Sequence, residues 1–116
     1  EVASKLYNLA TSLKMDVLVE IHNAKELERA LKLKPTIIGI NNRNLKTMKT
    51  TLYTTISLLK YIPKDTLIIS ESGFKTNKDI KLMKLSNVWC FLIGETFMKS
   101  DNIYDSVRKL ISGEEI

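Results

Sequence analysis

Ile37 to Leu45 reads IIGINNRNL. An apolar run passes directly into Asn41-Asn42-Arg43-Asn44, with no proline and no glycine pair to punctuate the exit. A short apolar run bounded by polar residues has the pattern of a buried strand. Its polar end is where the strand leaves the core. Whether it leaves toward bulk solvent or toward a pocket decides how the whole chain is read.

The neighbours of this strand repeat its pattern. Upstream, DVLVEIH gives a strand at about 17–22. Asn23 then opens a helix, with Glu26 three residues on in capping-box spacing. Leu27, Ala30 and Leu31 supply that helix's inner face, and Pro35 follows it. Earlier still, Val2, Leu6, Leu9, Ala10 and Leu13 have the spacing of one helix face over 2–13. The quoted strand itself runs from about 36 to 41. Downstream, a long polar loop leads to Leu52, Ile56, Leu59 and Ile62, a helix stopped by Pro63. TLIISES predicts a strand at about 66–71, and Thr76 or Asn77 caps a helix carrying Ile80 and Met83. WCFLIG predicts a strand at about 89–94. Ile103, Val107, Leu110 and Ile111 mark a last helix, followed by Gly113.

The order is therefore α-βα-βα-βα-βα. Strands start roughly 20 to 30 residues apart, the pitch of right-handed βα units in a parallel sheet. Strands apolar on both sides predict a sheet covered on both faces. The 116 residues make a single domain, with 44% hydrophobic and 27% charged residues. The apolar runs are far shorter than the roughly 20 residues of a membrane span. EVASKLYNL has neither the basic segment nor the apolar core of a signal peptide, and reads as the interior of a longer protein.

Net charge is +5, from 18 basic and 13 acidic residues. The lysines are spread from Lys5 to Lys109 rather than clustered and interleaved with aromatics, so no nucleic-acid or membrane partner is expected. The positive balance favours anionic small molecules. The single cysteine, Cys90, and single histidine, His22, exclude an intrachain disulfide and a Cys/His zinc cage, and no metal site is expected. Cys90 reads as a buried small hydrophobe, and Trp89 and the methionines as packing. His22 reads as a strand-end ring bonded to backbone, with a catalytic role as the other reading. A reducing cytoplasm is the expected compartment.

Each strand turns polar at its C-terminal end: Glu20-Ile21-His22, then Asn41 and Arg43, then Glu71-Ser72-Gly73, then Gly94-Glu95-Thr96. Ligands of α/β sheets and barrels bind at that edge, where βα loops and helix N-termini converge. Period-two alternation puts Glu20, Asn41 and Glu71 on equivalent faces, with Leu18, Ile37, Ile69 and Leu92 below them. If those faces are interior, two carboxylates and an amide share one cavity suited to acid/base work. The plainer alternative is that strand-end polar residues meet solvent or cap helices. SESG and LIGET carry glycines that let backbone N–H groups approach an anion, on the last two strands where βα barrels hold phosphate.

LVEIHNAKELERAL, IIGINNRNLKT, IPKD, ISESG and FLIGETFM, in this order and spacing, resemble indole-3-glycerol phosphate synthase of tryptophan biosynthesis. The resemblance covers only the C-terminal half of that enzyme. It implies the (β/α)8 TIM-barrel family, here four βα units, strands five to eight, as a half barrel completed by self-association or by a missing N-terminal half. It implies a lyase that closes the ring of 1-(2-carboxyphenylamino)-1-deoxyribulose 5-phosphate with loss of carbon dioxide and water, without a cofactor. By motif, Glu20 resembles the acid/base glutamate and Asn41 the positioning residue, with Glu71 beside them as catalytic. Arg43 and Ser72 fall where substrate is held, and Gly73, Gly94 and Glu95 where phosphate meets backbone amides. The family's catalytic lysines belong to strands one and three, and no lysine here matches them. The isolated chain is therefore expected to be inactive. The alternative is a non-catalytic half barrel that binds a sugar phosphate or self-associates.

Overall fold

The computed structural model describes residues 1–114. Helix α1 spans Val2–Ser12, followed by β1 (Leu18–Ile21), α2 (Ala24–Leu31) and β2 (Ile37–Asn41). Next come α3 (Tyr53–Leu58), running into a 3-10 turn at Leu59–Tyr61, then β3 (Leu67–Glu71) and α4 (Asn77–Leu85). Strand β4 (Cys90–Leu92), α5 (Glu95–Met98) and α6 (Ile103–Ser112) complete the chain. The four strands form one parallel sheet in sequence order. Sequential order without a switch of direction is the order of a barrel wall. Among the described residues, no helix is long and apolar enough to cross a membrane.

The helices end where local chemistry ends them. Asn23 caps α2 by accepting the Glu26 N–H at 2.9 Å. The expected reciprocal box is shifted by one residue: the Glu26 carboxylate takes the N–H of His22, not that of Asn23. Thr76 caps α4, and Asp79 returns a carboxylate to the Thr76 N–H at 2.8 Å. Asn102 caps α6 through the Asp105 N–H, and Gly113 closes it in the left-handed region at φ 77°. Asn77 donates to the carbonyls of Leu110 and Ile111, tying the end of α6 to the head of α4.

The core lies on the helical face of the sheet alone. Ile21, Ile38 and Ile40 pack with Leu27, Ala30, Leu58 and Ile62. Phe74, Ile80, Met83, Val88 and Leu110 form a second cluster, and Leu59 and Ile68 touch both. Phe74 and Phe91 meet edge to face at 5.0 Å. The expectation of a sheet covered on both faces is corrected here. Leu18, Leu67 and Leu92 on the opposite face are exposed, and Ile37 and Ile69 are half-buried. Four strands are too few to curl into a closed wall, so the side that a full barrel fills with side chains meets water. The same holds for α1, whose Val2, Leu6, Leu9 and Leu13 stripe is exposed. Trp89 and three of the methionines, Met15, Met48 and Met98, are likewise exposed rather than packed, and only Met83 is buried.

Candidate active site

Glu20, Asn41, Arg43, Glu71, Ser72, Gly73, Gly94 and Glu95 line one cleft of about 930 Å³ at the C-terminal edge of the sheet. Register explains how the two glutamates meet. Glu20 stands opposite Gly39, and Asn41 stands opposite Glu71. Glu71 is thus on the far side of β2 from Glu20. Its carboxyl leans back over Gly39, where an added Cβ would stand 3.1 Å from it. The missing side chain at Gly39 is the window through which Glu71 approaches Glu20.

Glu71 is 2% exposed, and its carboxyl oxygens have no donor among the described residues unless one of the two facing carboxyls, Glu71 or Glu20, is protonated. Burial, then a hydrogen bond with Glu20 and the charge of Glu20, push its pKa up to about 7. Carboxylates only accept, so the two can bond to each other only when one carries a proton. With its pKa near 7, the Glu71 carboxyl can give up or take back a proton near neutral pH.

Asn41 accepts the Arg43 N–H on its side-chain oxygen at 2.9 Å, which turns the chain as the strand ends. Arg43 and Thr50 then bridge the base of a loop in which Asn44 accepts from Lys46 and Thr47. The Arg43 guanidinium pairs with the Glu95 carboxylate, and Lys99 reaches the same carboxylate at 2.6 Å. Lys99 and then Arg43 hold the Glu95 pKa down to about 2. An incoming anion would therefore meet an Arg43 already partnered, and would have to exchange with Glu95.

Ser72 and Gly73 both have positive φ, at 69° and 90°. Two such residues in a row swing the chain out of β3 and into the cleft wall. Gly73 is also required by space, since a Cβ there would stand 2.6 Å from Thr50 Cγ2. Gly94 is different: a Cβ would meet nothing within 4 Å, so its glycine leaves room in the cleft and relieves no clash. The first N–H groups of α5, which opens at Glu95 beside Gly94, have no acceptor within their own helix.

The residues that hold these groups lie outside the polar strand ends. Asn42 is buried and fully bonded. Its amide donates to Ser70 Oγ at 3.0 Å and to the Ser72 carbonyl at 3.1 Å. Its oxygen accepts from the Thr55 N–H at 3.1 Å and the Thr55 hydroxyl at 2.8 Å. Helix α3 has no side-chain cap at Leu52, and Asn42 supplies one from the preceding loop. The signal was present in the alternation: Asn42 and Ser70 are polar at core-facing positions. His22 is also corrected. Its ring bonds the Glu26 carboxylate at 3.0 Å, not the backbone, because the shifted cap of α2 brings that carboxylate to the strand end.

A parallel βα wall in sequence order, with its polar strand ends gathered at the C-terminal edge, defines the chain as half of a βα barrel. The family model for indole-3-glycerol phosphate synthase matches residues 1–110, and the chain belongs to that family. An indole-3-glycerol phosphate synthase of Legionella pneumophila (strain Lens) is 51% identical over 104 residues, covering 90% of this chain and 40% of the relative. One from Polynucleobacter necessarius subsp. necessarius (strain STIR1) is 48% identical, covering 89% and 39%. One from Bordetella pertussis (strain Tohama I / ATCC BAA-589 / NCTC 13251) is 47% identical, covering 92% and 41%. The chain spans about two fifths of the length of these curated relatives.

Proposed function

We propose that this chain carries the acid/base and anion-holding half of an indole-3-glycerol phosphate synthase site, and turns over only when an N-terminal half completes the barrel. The observation that carries this reading is the Glu71 carboxyl, buried without a partner across Gly39 from Glu20 and poised near neutrality. Ring closure of 1-(2-carboxyphenylamino)-1-deoxyribulose 5-phosphate forms a carbon–carbon bond, releases carbon dioxide and expels a hydroxyl as water. The departing hydroxyl needs a proton, and a carboxyl titrating near pH 7 can deliver it. Glu20 is the acid/base partner in this scheme, and Asn41 positions the substrate between the two. Arg43 and Ser72 hold the anthranilate end, with Arg43 exchanging Glu95 for the substrate carboxylate. Gly73, Gly94 and the Glu95 N–H take the phosphate, and no cofactor is used.

The exposed inner face of the sheet and the unpartnered α1 stripe favour a missing half as the natural complement. The test is to mix the chain with the N-terminal part of the Legionella relative and follow indole fluorescence from the substrate. Turnover is expected from the mixture, lost in Glu20→Gln, and absent from the chain alone. Saturable turnover by the chain alone would sink the proposal. So would a mixture that assembles and binds substrate without reacting, which would leave a sugar-phosphate-binding module as the reading.

A further inference from the structure

The scheme above leaves the strand-end His22 unused. One oxygen of Glu26 accepts both the His22 backbone N–H, at 2.7 Å, and a bond from ring Nδ1, at 3.0 Å. A carboxylate cannot donate, so Nδ1 carries a proton. The ring is thereby oriented, and Nε2 faces Glu20, whose Oε2 is 3.7 Å away. Nε2 is buried and finds no partner among the described residues. On the other side of Glu20, across Gly39, both oxygens of Glu71 are in the same condition. Buried polar atoms in a native fold are nearly always bonded, and these exceptions flank a single carboxyl. Each of these atoms is an acceptor without a donor, and the Glu20 carboxyl is the polar group that lies between them.

We infer that His22 is a positioning residue for Glu20, and that Glu26, His22, Glu20 and Glu71 form one chain of proton-sharing groups from the head of α2 to the floor of the cleft. A histidine that only ties β1 to α2 needs its two bonds to Glu26. It does not need Nε2 aimed at a second carboxyl. The groups facing the ring are Glu20 from β1 and Glu26 from α2. Arg29 of α2, Lys32 just after it and Glu1 at the head of α1 line the adjoining cleft together with Glu20 and Glu26. The inference rests on reading Glu20 as the acid/base group.

The test uses nitrogen NMR of the full chain, in which His22 is the only histidine and its ring signals need no assignment. The expected spectrum is that of the Nδ1–H tautomer in the wild type, with the tautomer preference lost in Glu26→Ala. Followed against pH, the ring nitrogen shifts should register the ionisation of Glu71 near pH 7. Glu71→Gln should remove that step, and Glu20→Gln should alter how strongly the ring reports it. An Nε2–H tautomer in the wild type overturns the inference without any variant. So does a titration curve identical in wild type, Glu71→Gln and Glu20→Gln. Either result leaves the role of Glu20 standing, since that role is judged by turnover of the completed barrel.

Discussion

At the scale of the residue, the site turns on an absence. Gly39 lets a carboxyl from one strand cross over a second to reach a third. The result is a group whose proton is held more tightly folded than unfolded. Its folded pKa of about 7 lies above the ordinary 4.5. Between those values the folded chain binds more proton than the unfolded chain, so stability is full below about 4.5 and declines as pH rises through about 7. Glu71→Gln keeps the shape and removes the titration. Its melting temperature should therefore gain on the wild type from pH 4.5 upward and level off above pH 8. Thermal melts across pH 4 to 9 check this, and parallel curves would show that Glu71 titrates as it does in water.

At the scale of the element, the loop between β2 and α3 is held by one amide. Asn42 joins Ser70 and Ser72 of the third βα unit to Thr55 of α3. Asn42→Ala leaves buried donors and acceptors unmet on both sides, at a cost of about 2–3 kcal/mol. Urea denaturation should show that loss, with faster hydrogen exchange at the Thr55 amide. A loss below about 0.5 kcal/mol would place the network among ordinary surface contacts. The elements themselves were legible because β-branched runs, Pro63, Gly113 and the caps at Asn23 and Thr76 act locally. Helix α5 was not, since the four residues ETFM are too few to show a period. The strand-end parity of Glu20, Asn41 and Glu71 was legible too. Their approach was not, because it depends on Gly39 standing opposite Glu20, and register is a property of two strands at once. The strands carry the apolarity of a closed barrel, whose inner face is covered, and the four present do not close; that is why Leu18 and Leu92 meet water.

At the scale of the whole molecule, the sheet presents two free edges and an uncovered apolar face. Free edges recruit other strands, and soluble monomers rarely leave apolar patches beyond about 300–600 Å². Without its complement the chain should therefore pair with itself through the inner face and α1. Light scattering should give a mass that rises with micromolar concentration and falls to the monomer when the N-terminal half is added. A monomer that binds no apolar dye and melts cooperatively would reject this. The two core clusters bear on a different matter, how finely such a barrel can be divided. Leu59 and Ile68 belong to both. The cluster built on β1 and β2 is roofed by Leu58 and Ile62, which come after the loop, and is finished by Ile68 of β3. A cut between Asn41 and Leu58 would take Leu58 and Ile62 from the first cluster, while a cut between Ile62 and Ile68 would leave that roof and take Leu52, Ile56 and Leu59 from the flank of the second. A division after Ile62 would therefore cost the two pieces unequally: the first would keep its whole buried cluster, and the second would lose the cover that α3 lends it.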